Sequence, residues 1–172
     1  MSKSDRVKAA EIVRDSGGEV VGRTRLQKIG FLLELAGFGD GFEFEYRHYG
    51  PYSEELASGI RLAGAFGLID EEERPTEWGG FYSIYRARPT MGHATDRDRA
   101  AFAREAAGIS AVVLELAATA AYLHAEEGVA DPWAETARRK PEKARDGRLD
   151  EAKEAYRRLL ELKTRKPLPP IV

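Results

Sequence analysis

Apolar residues at Leu26, Ile29, Leu33 and Ala36 recur at spacings of three and four, and Phe31, Leu32 and Leu35 widen that stripe over most of a helical circumference. The pattern predicts a helix in the middle of a domain. Upstream, Val7, Ala10 and Val13 predict a shorter helix that Ser4 can cap and Ser16-Gly17-Gly18 ends, with Val20-Val21 as an extended link. Downstream, Phe42-Glu43-Phe44-Glu45-Tyr46 alternates with period two and predicts a half-buried strand. A turn follows at Tyr49-Gly50-Pro51-Tyr52, where Gly50 supplies backbone freedom and Pro51 restricts it. Ser53 is placed to cap a third helix, with Glu54 and Glu55 at its positive end. That helix turns Leu56, Ile60 and Ala63 inward, with Leu62 and Phe66 flanking, and stops at Gly67. Leu68-Ile69 begins a strand, Glu71–Gly80 reads as a polar loop, and Phe81–Arg88 as a returning strand.

After Pro89 the pattern becomes wholly helical. A charged helix opens at Thr95 or Asp96 and runs through Ala107. A nearly all-apolar one spans Ile109–Glu127, its apolar run interrupted by Ser110, Glu115 and Thr119. Asp131-Pro132 starts a short helix that Lys140-Pro141 ends. Gly147 precedes an amphipathic helix with Leu149, Ala152, Tyr156 and Leu159 inward and a Glu154–Arg158 pair outside. The tail Pro167-Leu168-Pro169-Pro170 reads as polyproline-like, frayed or laid along the surface. Trp133 is expected to be buried where the two halves meet, and Trp78 and Tyr82 to be exposed in the hairpin. Three helices followed by a β-hairpin give an α+β, mainly helical fold. Its first part, residues 1–90, is winged helix-turn-helix-like, and residues 91–172 form a helical extension packed against it.

Composition narrows the class. With 42% hydrophobic and 33% charged residues in 172, the chain can bury a core. It has no cysteine, which excludes disulfides and thiolate metal sites. The N-terminal stretch has no apolar leader pattern, and no apolar run is long enough to span a bilayer, so the expectation is a soluble, cytoplasmic protein. Net charge is −2, split unevenly: residues 135–172 hold 12 Lys/Arg and 7 Asp/Glu (+5), leaving 15 and 22 (−7) before them. Self-packing explains this complementarity, and a basic face for an acidic partner is the sharper alternative.

Candidate chemistry is sparse. Arg23, Arg25 and Lys28 crowd the first turns of the second helix, where its dipole disfavours cations, so acids of the same chain are expected nearby. Gln27 and Lys28 read as structural, and contact with the Tyr49–Tyr52 turn is the functional reading. His48, His93 and His124 have no metal-ligand spacing; His124 is explained by its helix C-terminus, and His48 lacks a neighbouring nucleophile. Gly37–Gly41 is not followed by Lys-Ser/Thr and is no phosphate loop.

Arg25–Glu34 (RLQKIGFLLE) and Tyr46–Leu56 (YRHYGPYSEEL), with the Gly67–Ile69 turn, resemble the Panacea domains, which include SocA-like antitoxins, and a related group of uncharacterised prokaryotic proteins. Leu26-Gln27-Lys28 and Tyr49-Gly50-Pro51 are the matching positions. The Tyr52–Leu56 segment is nearer the uncharacterised group. The resemblance covers mainly the first half. It implies a winged-helix-like protein that neutralises a toxin or hands it to a protease, with no catalytic residues and no cofactor.

The leading expectation is therefore a non-enzymatic module with a protein partner, a toxin or a protease-linked client. The interaction candidates are Arg25, Gln27, Lys28, Arg47, His48, Tyr49, Gly50, Pro51, Tyr52, Ser53 and Arg61. The alternative is a DNA-binding regulator reading through the third helix. Its outer face, Glu54, Ser58, Arg61 and Ala65, carries one cation, and the wing at Asp70–Arg74 is acidic, which disfavours duplex binding. A homodimer is compatible with either.

Overall fold

The computed structural model describes residues 3–172, so the first two positions of the N-terminal stretch lie outside the described residues. The order is α1 (Asp5–Asp15), β1 (Glu19–Val21), α2 (Arg23–Leu35), β2 (Glu45–Arg47), β3 (Gly50–Tyr52), α3 (Glu54–Ala65), β4 (Ile69–Pro75), β5 (Phe81–Ala87), α4 (Arg97–Ala107), α5 (Ala111–Glu127), α6 (Pro132–Arg139), α7 (Pro141–Ala144) and α8 (Arg148–Leu160). The class is α+β and mainly helical. No single helix among the described residues is long and apolar enough to cross a membrane.

Two antiparallel sheets form. Strands β1, β5 and β4 lie in that order, and β2 and β3 make a separate hairpin. Val20-Val21 is thus more than a link, because Val20 faces Tyr85 and Val21 faces Ile84 across the ladder. The stretch read as a polar loop from Glu71 is strand as far as Pro75, and only residues 76–80 turn. Four successive acids tolerate the ladder because arginines answer them. Glu72 pairs with Arg74 at 2.7 Å and Arg86 at 2.8 Å, Asp70 with Arg88 at 3.5 Å, and Arg23 reaches both Glu71 and Glu73.

The alternation at Phe42–Tyr46 places side chains as expected, with Phe42 buried and Phe44 and Tyr46 half-buried. Ladder pairing, however, begins only at Glu45. Side-chain carboxylates replace a neighbouring strand before that point. Glu34 accepts from the backbone N–H of Gly41 and Phe42 at 2.9 Å, and Glu55 from that of Glu43 at 2.9 Å.

α5 is the axis of the packing. Its side chains from Val113 to Ala121 are all buried, and it touches α2, β3, α6 and α8. One cluster of buried apolar side chains runs from α1 and α2 through α4 and α5 to α8 and Leu168. The tail is anchored, not frayed: Leu168 is buried, Tyr156 Oη donates to the Pro169 carbonyl at 2.6 Å, and Trp133 Nε1 to that of Ile171 at 2.7 Å. Trp133 is accordingly buried against Tyr156 and the tail, within the C-terminal elements. On α8, Glu154 pairs with Arg157, and Arg158 reaches Glu105 of α4 instead, because the exposed i,i+3 partner is nearer on that face.

A buried ion pair ties α1 to α4: Arg99 Nε donates to Asp15 Oδ2 at 2.8 Å, and the same guanidinium also reaches the Phe38 carbonyl and Asp40. Ser53 caps α3 as the sequence suggests, its Oγ accepting from the Leu56 N–H at 3.1 Å, and Leu56, Ile60 and Ala63 are buried. They pack α3 chiefly on α1, where Gly59 lets the backbones meet.

Two glycines of α3 should answer substitution with opposite signs. A Cβ at Gly59 would lie 2.7 Å from the backbone oxygen of Asp5, whereas at Gly64 the nearest atom is Ile69 Cδ1 at 3.8 Å. Gly59→Ala should cost about 1–3 kcal/mol by forcing the helices apart. Gly64→Ala should stabilise by up to about 1 kcal/mol. Equilibrium denaturation of the two variants reads both.

Candidate functional site

The residues that carry the chemistry of this chain meet beneath the β2–β3 hairpin. Gln27 and Lys28 sit on the face of α2 that packs against β3 and are buried although polar. Burial is tolerated because each finds a backbone partner. The Gln27 amide bonds Ser53 in both directions, Nε2 donating to its carbonyl at 2.9 Å and Oε1 accepting its N–H at 2.7 Å. Lys28 Nζ donates to the Pro51 carbonyl at 2.7 Å. Adjacent α2 side chains thereby grip the hairpin's second strand at Pro51 and Ser53 and set the start of α3.

Gly50 makes the close approach possible. Its φ is +87°, a region that favours glycine, and a Cβ there would stand 2.5 Å from Thr119 Oγ1 of α5. One turn before Thr119 on the same helix is Glu115, also buried. Its carboxylate accepts from Lys143 Nζ at 2.7 and 3.0 Å and lies 3.0 Å from Lys140 Nζ, which itself donates to the His48 carbonyl at 2.9 Å. The hairpin turn is therefore held by a lysine on either side, Lys28 at Pro51 and Lys140 at His48.

Two ammonium groups thus share one buried carboxylate, and a third, Lys28, lies within reach of its field. Burial drives the Lys28 ammonium down from 10.5 to about 7; Glu115 opposes that shift, while the neighbouring charges of Lys140 and Lys143 reinforce it. Above the cluster lies an open groove of about 740 Å³ between the hairpin and the α6–α7 junction, lined by Tyr46, Arg47, His48, Arg139, Lys140, Glu142 and Lys143. Lys143 Nζ also stands 4.4 Å over the Tyr49 ring, which meets His48 edge-on at 4.9 Å.

The eleven interaction candidates divide between hub, rim and elsewhere. Gln27, Lys28, His48, Tyr49, Gly50, Pro51 and Ser53 form the hub. Arg47 is at the rim, bonded to Glu45 at 2.6 Å and Glu54 at 3.3 Å and lying 4.7 Å over the Tyr52 ring. Tyr52 and Arg61 line a different, smaller cleft of about 340 Å³ between α3 and the three-stranded sheet. Arg25 turns away from both and donates to the carbonyls of Ile109 (3.0 Å) and Val21. The expected acids near the first turns of α2 are there for Arg23, whereas Arg25 is answered by carbonyl oxygens and Lys28 by both kinds of group. Glu115, Thr119, Lys140 and Lys143 are not among the candidates. Glu115 and Thr119 have a visible signal, two polar residues four apart inside an apolar helix. The lysines have none, since their carboxylate partner lies on a different helix far back in the chain. Among the described residues no three His, Asp or Glu converge as metal ligands.

Compared with known proteins, the chain is similar to the uncharacterized protein YwgA of Bacillus subtilis (strain 168), with 29% identity over 90 residues, 52% of this chain and 52% of YwgA. The chain thus spans about half the length of that relative. No protein-family model matches the chain, and no solved structure matches it significantly.

The Lys28 environment makes a pH prediction. Between pH 7 and the ordinary lysine range the unfolded chain carries a proton on Lys28 that the folded chain has released, so folded stability should rise with pH across that window. The slope contributed is at most about 1.4 kcal/mol per pH unit. Lys28→Met should flatten it while lowering stability at pH 9, because the Pro51 carbonyl loses its donor. Urea unfolding between pH 6 and 10 tests this, and an unchanged slope in the variant would contradict it.

Proposed function

We propose that this chain is a non-enzymatic protein-interaction module of antitoxin or adaptor type, working in the cytoplasm of a prokaryotic cell. In this reading residues 1–90 form a winged-helix-like part, with β4–β5 as its wing and residues 91–172 as a helical extension. The observation that carries it is the wing tip: Trp78 is 91% exposed and Phe81 71%, at the end of a hairpin whose base packs on the core. Large aromatics exposed together on a projecting loop are characteristic of protein contacts. The Leu26-Gln27-Lys28 and Tyr49-Gly50-Pro51 resemblance supports the same class, with a toxin or a protease-linked client as partner. A homodimer through the same tip is an arrangement of this reading.

Duplex binding, the other reading, fits less well. Residues 36–53, including the β2–β3 hairpin, separate α2 from α3, where a helix-turn-helix has a turn of three or four residues. The exposed face of α3 offers Glu54, Glu55, Arg61, Leu62 and Phe66 to a phosphate backbone, and the adjoining strand β4 is acidic. Arg61 is the only arginine or lysine on that helix.

Both readings are tested with a Trp78→Ala/Phe81→Ala double variant, which should keep its fold because neither ring is buried. Photo-crosslinking from residue 79 in host extract should capture one stoichiometric partner with the wild type. The same partner, purified, should bind the double variant at least about tenfold more weakly. Undiminished binding, or submicromolar salt-sensitive binding of duplex DNA instead, would overturn the proposal.

A further inference from the structure

The lysine cluster has too little acid for its cations, and the deficit opens onto a groove. Lys140 and Lys143 both lie within 3.0 Å of the Glu115 carboxylate, and Lys28 is held close enough for that carboxylate to influence its ionisation. With Lys140 and Lys143 protonated, the cluster carries a surplus of one positive charge, to which Lys28, partly protonated at neutral pH, adds part of another. Other lining cations contribute little to it: Arg47 is taken by Glu45 and Glu54, and Arg139 by Glu127 and Glu135. Among the described residues Glu142 is the one carboxylate on the groove wall. The surplus therefore sits at its lysine end. There Lys140 is 6% exposed by side chain and Lys143 29%, so one ammonium is presented to the groove while the other is held behind it.

We propose that the groove between the β2–β3 hairpin and the α6–α7 junction binds a phosphate-bearing ligand, with Lys143 as its direct contact and Lys140 and Lys28 supplying the charge behind. The match is one of charge and size. A phosphate monoester brings about 1.5 to 2 negative charges at neutral pH, enough to answer the surplus and to favour the protonated form of Lys28. A partly buried ammonium gives it a charge-assisted hydrogen bond in a medium less screening than water. The volume, about 740 Å³, exceeds what a phosphate group occupies, which leaves room for the molecule that carries it. Seated there, the ligand would lie against the hairpin whose turn Lys140 and Lys28 hold, so occupancy should also tighten that hairpin.

The first experiment needs no variant. Amide chemical shifts of the wild-type protein are followed as sodium pyrophosphate is added at constant ionic strength. The expected result is saturable shifts at His48, Tyr49, Lys140 and Lys143. Absence of saturation, or shifts scattered over the exposed lysines, would overturn the proposal. Lys143→Gln should weaken pyrophosphate by about tenfold or more, whereas Lys163→Gln, at an 85% exposed side chain far along the tail, should not. Equal loss in both would mean non-specific attraction and would overturn it. Glu115→Gln removes the opposing carboxylate, so it should tighten pyrophosphate and raise the melting-temperature shift that pyrophosphate produces. A merely structural cluster would show no such gain. Adenosine triphosphate and a phosphoserine peptide are then compared; tighter binding of either supports the site and identifies the carrier. Citrate binding as tightly as both would overturn the assignment to phosphate.

Discussion

A single buried carboxylate, Glu115, pairs with two lysines and lies near a third, and much of the architecture around it follows from that constraint. Isolated charges in the interior are costly, and they persist only where hydrogen bonds and opposite charge compensate them. Here compensation comes mostly from backbone carbonyls. Pro51 accepts from Lys28 and His48 from Lys140, so the polypeptide that must supply those carbonyls is fixed in place. The β2–β3 hairpin is short, three residues a strand, and a hairpin of that size is marginal by itself. The charges of α2 and α6–α7 give it a defined position against α5.

That arrangement links distant parts of the chain. Gln27 and Lys28 come from α2, Glu115 and Thr119 from α5, Lys140 from the end of α6 and Lys143 from α7. An apolar core would accept many small shifts of these helices past one another. The bonds from Gln27 to both backbone groups of Ser53 and from Lys28 to Pro51 accept only one register. Ser53 in turn caps α3, so the starting point of the helix that packs on α1 is fixed from α2. Asp15 and Arg99 do the same for α1 and α4 on the other side of the core.

Much of the fold is legible in the sequence because it depends on local patterns. Helical periodicity locates α2, α3 and α8, a nearly unbroken apolar run locates α5, and Ser53, Asp96 and Asp131 mark caps whose side chains do accept from the first-turn N–H groups. What stays hidden depends on distant partners. Strand β4 reads as a loop because four acids in succession disfavour a strand until Arg23, Arg74, Arg86 and Arg88 are brought beside them. The tail reads as frayed because nothing local announces that Trp133 and Tyr156 will bond its carbonyls. The hub is half visible: the Leu26-Gln27-Lys28 and Tyr49-Gly50-Pro51 segments stand out separately, and Glu115 breaks an apolar run. Their meeting is not readable, since Lys140 and Lys143 lie on a charged stretch where any one lysine resembles its neighbours.

The two hairpins differ in what holds them, and this separates the two surfaces. The β2–β3 hairpin is fixed by bonds from two sides, Lys28 of α2 and Lys140 after α6, so a ligand in the groove beside it meets a preorganised wall and little ordering cost. The β4–β5 tip is held by its own ladder and by arginine–glutamate pairs that are largely exposed, such as Glu72 with Arg74 and Arg86. Exposed pairs of this kind add little stability. Trp78 sits exposed on a turn beyond a continuous ladder, while the lysine groove is walled by buried bonds. The tip hangs from β5, whose main contacts are β4, β1 and α1, whereas the hub rests on α2, α5 and the α6–α7 junction. Two routes join the surfaces: Ser53 and α3, whose start the hub fixes and whose end leads directly into β4, and Arg23 of α2, which pairs with Glu71 and Glu73 of β4.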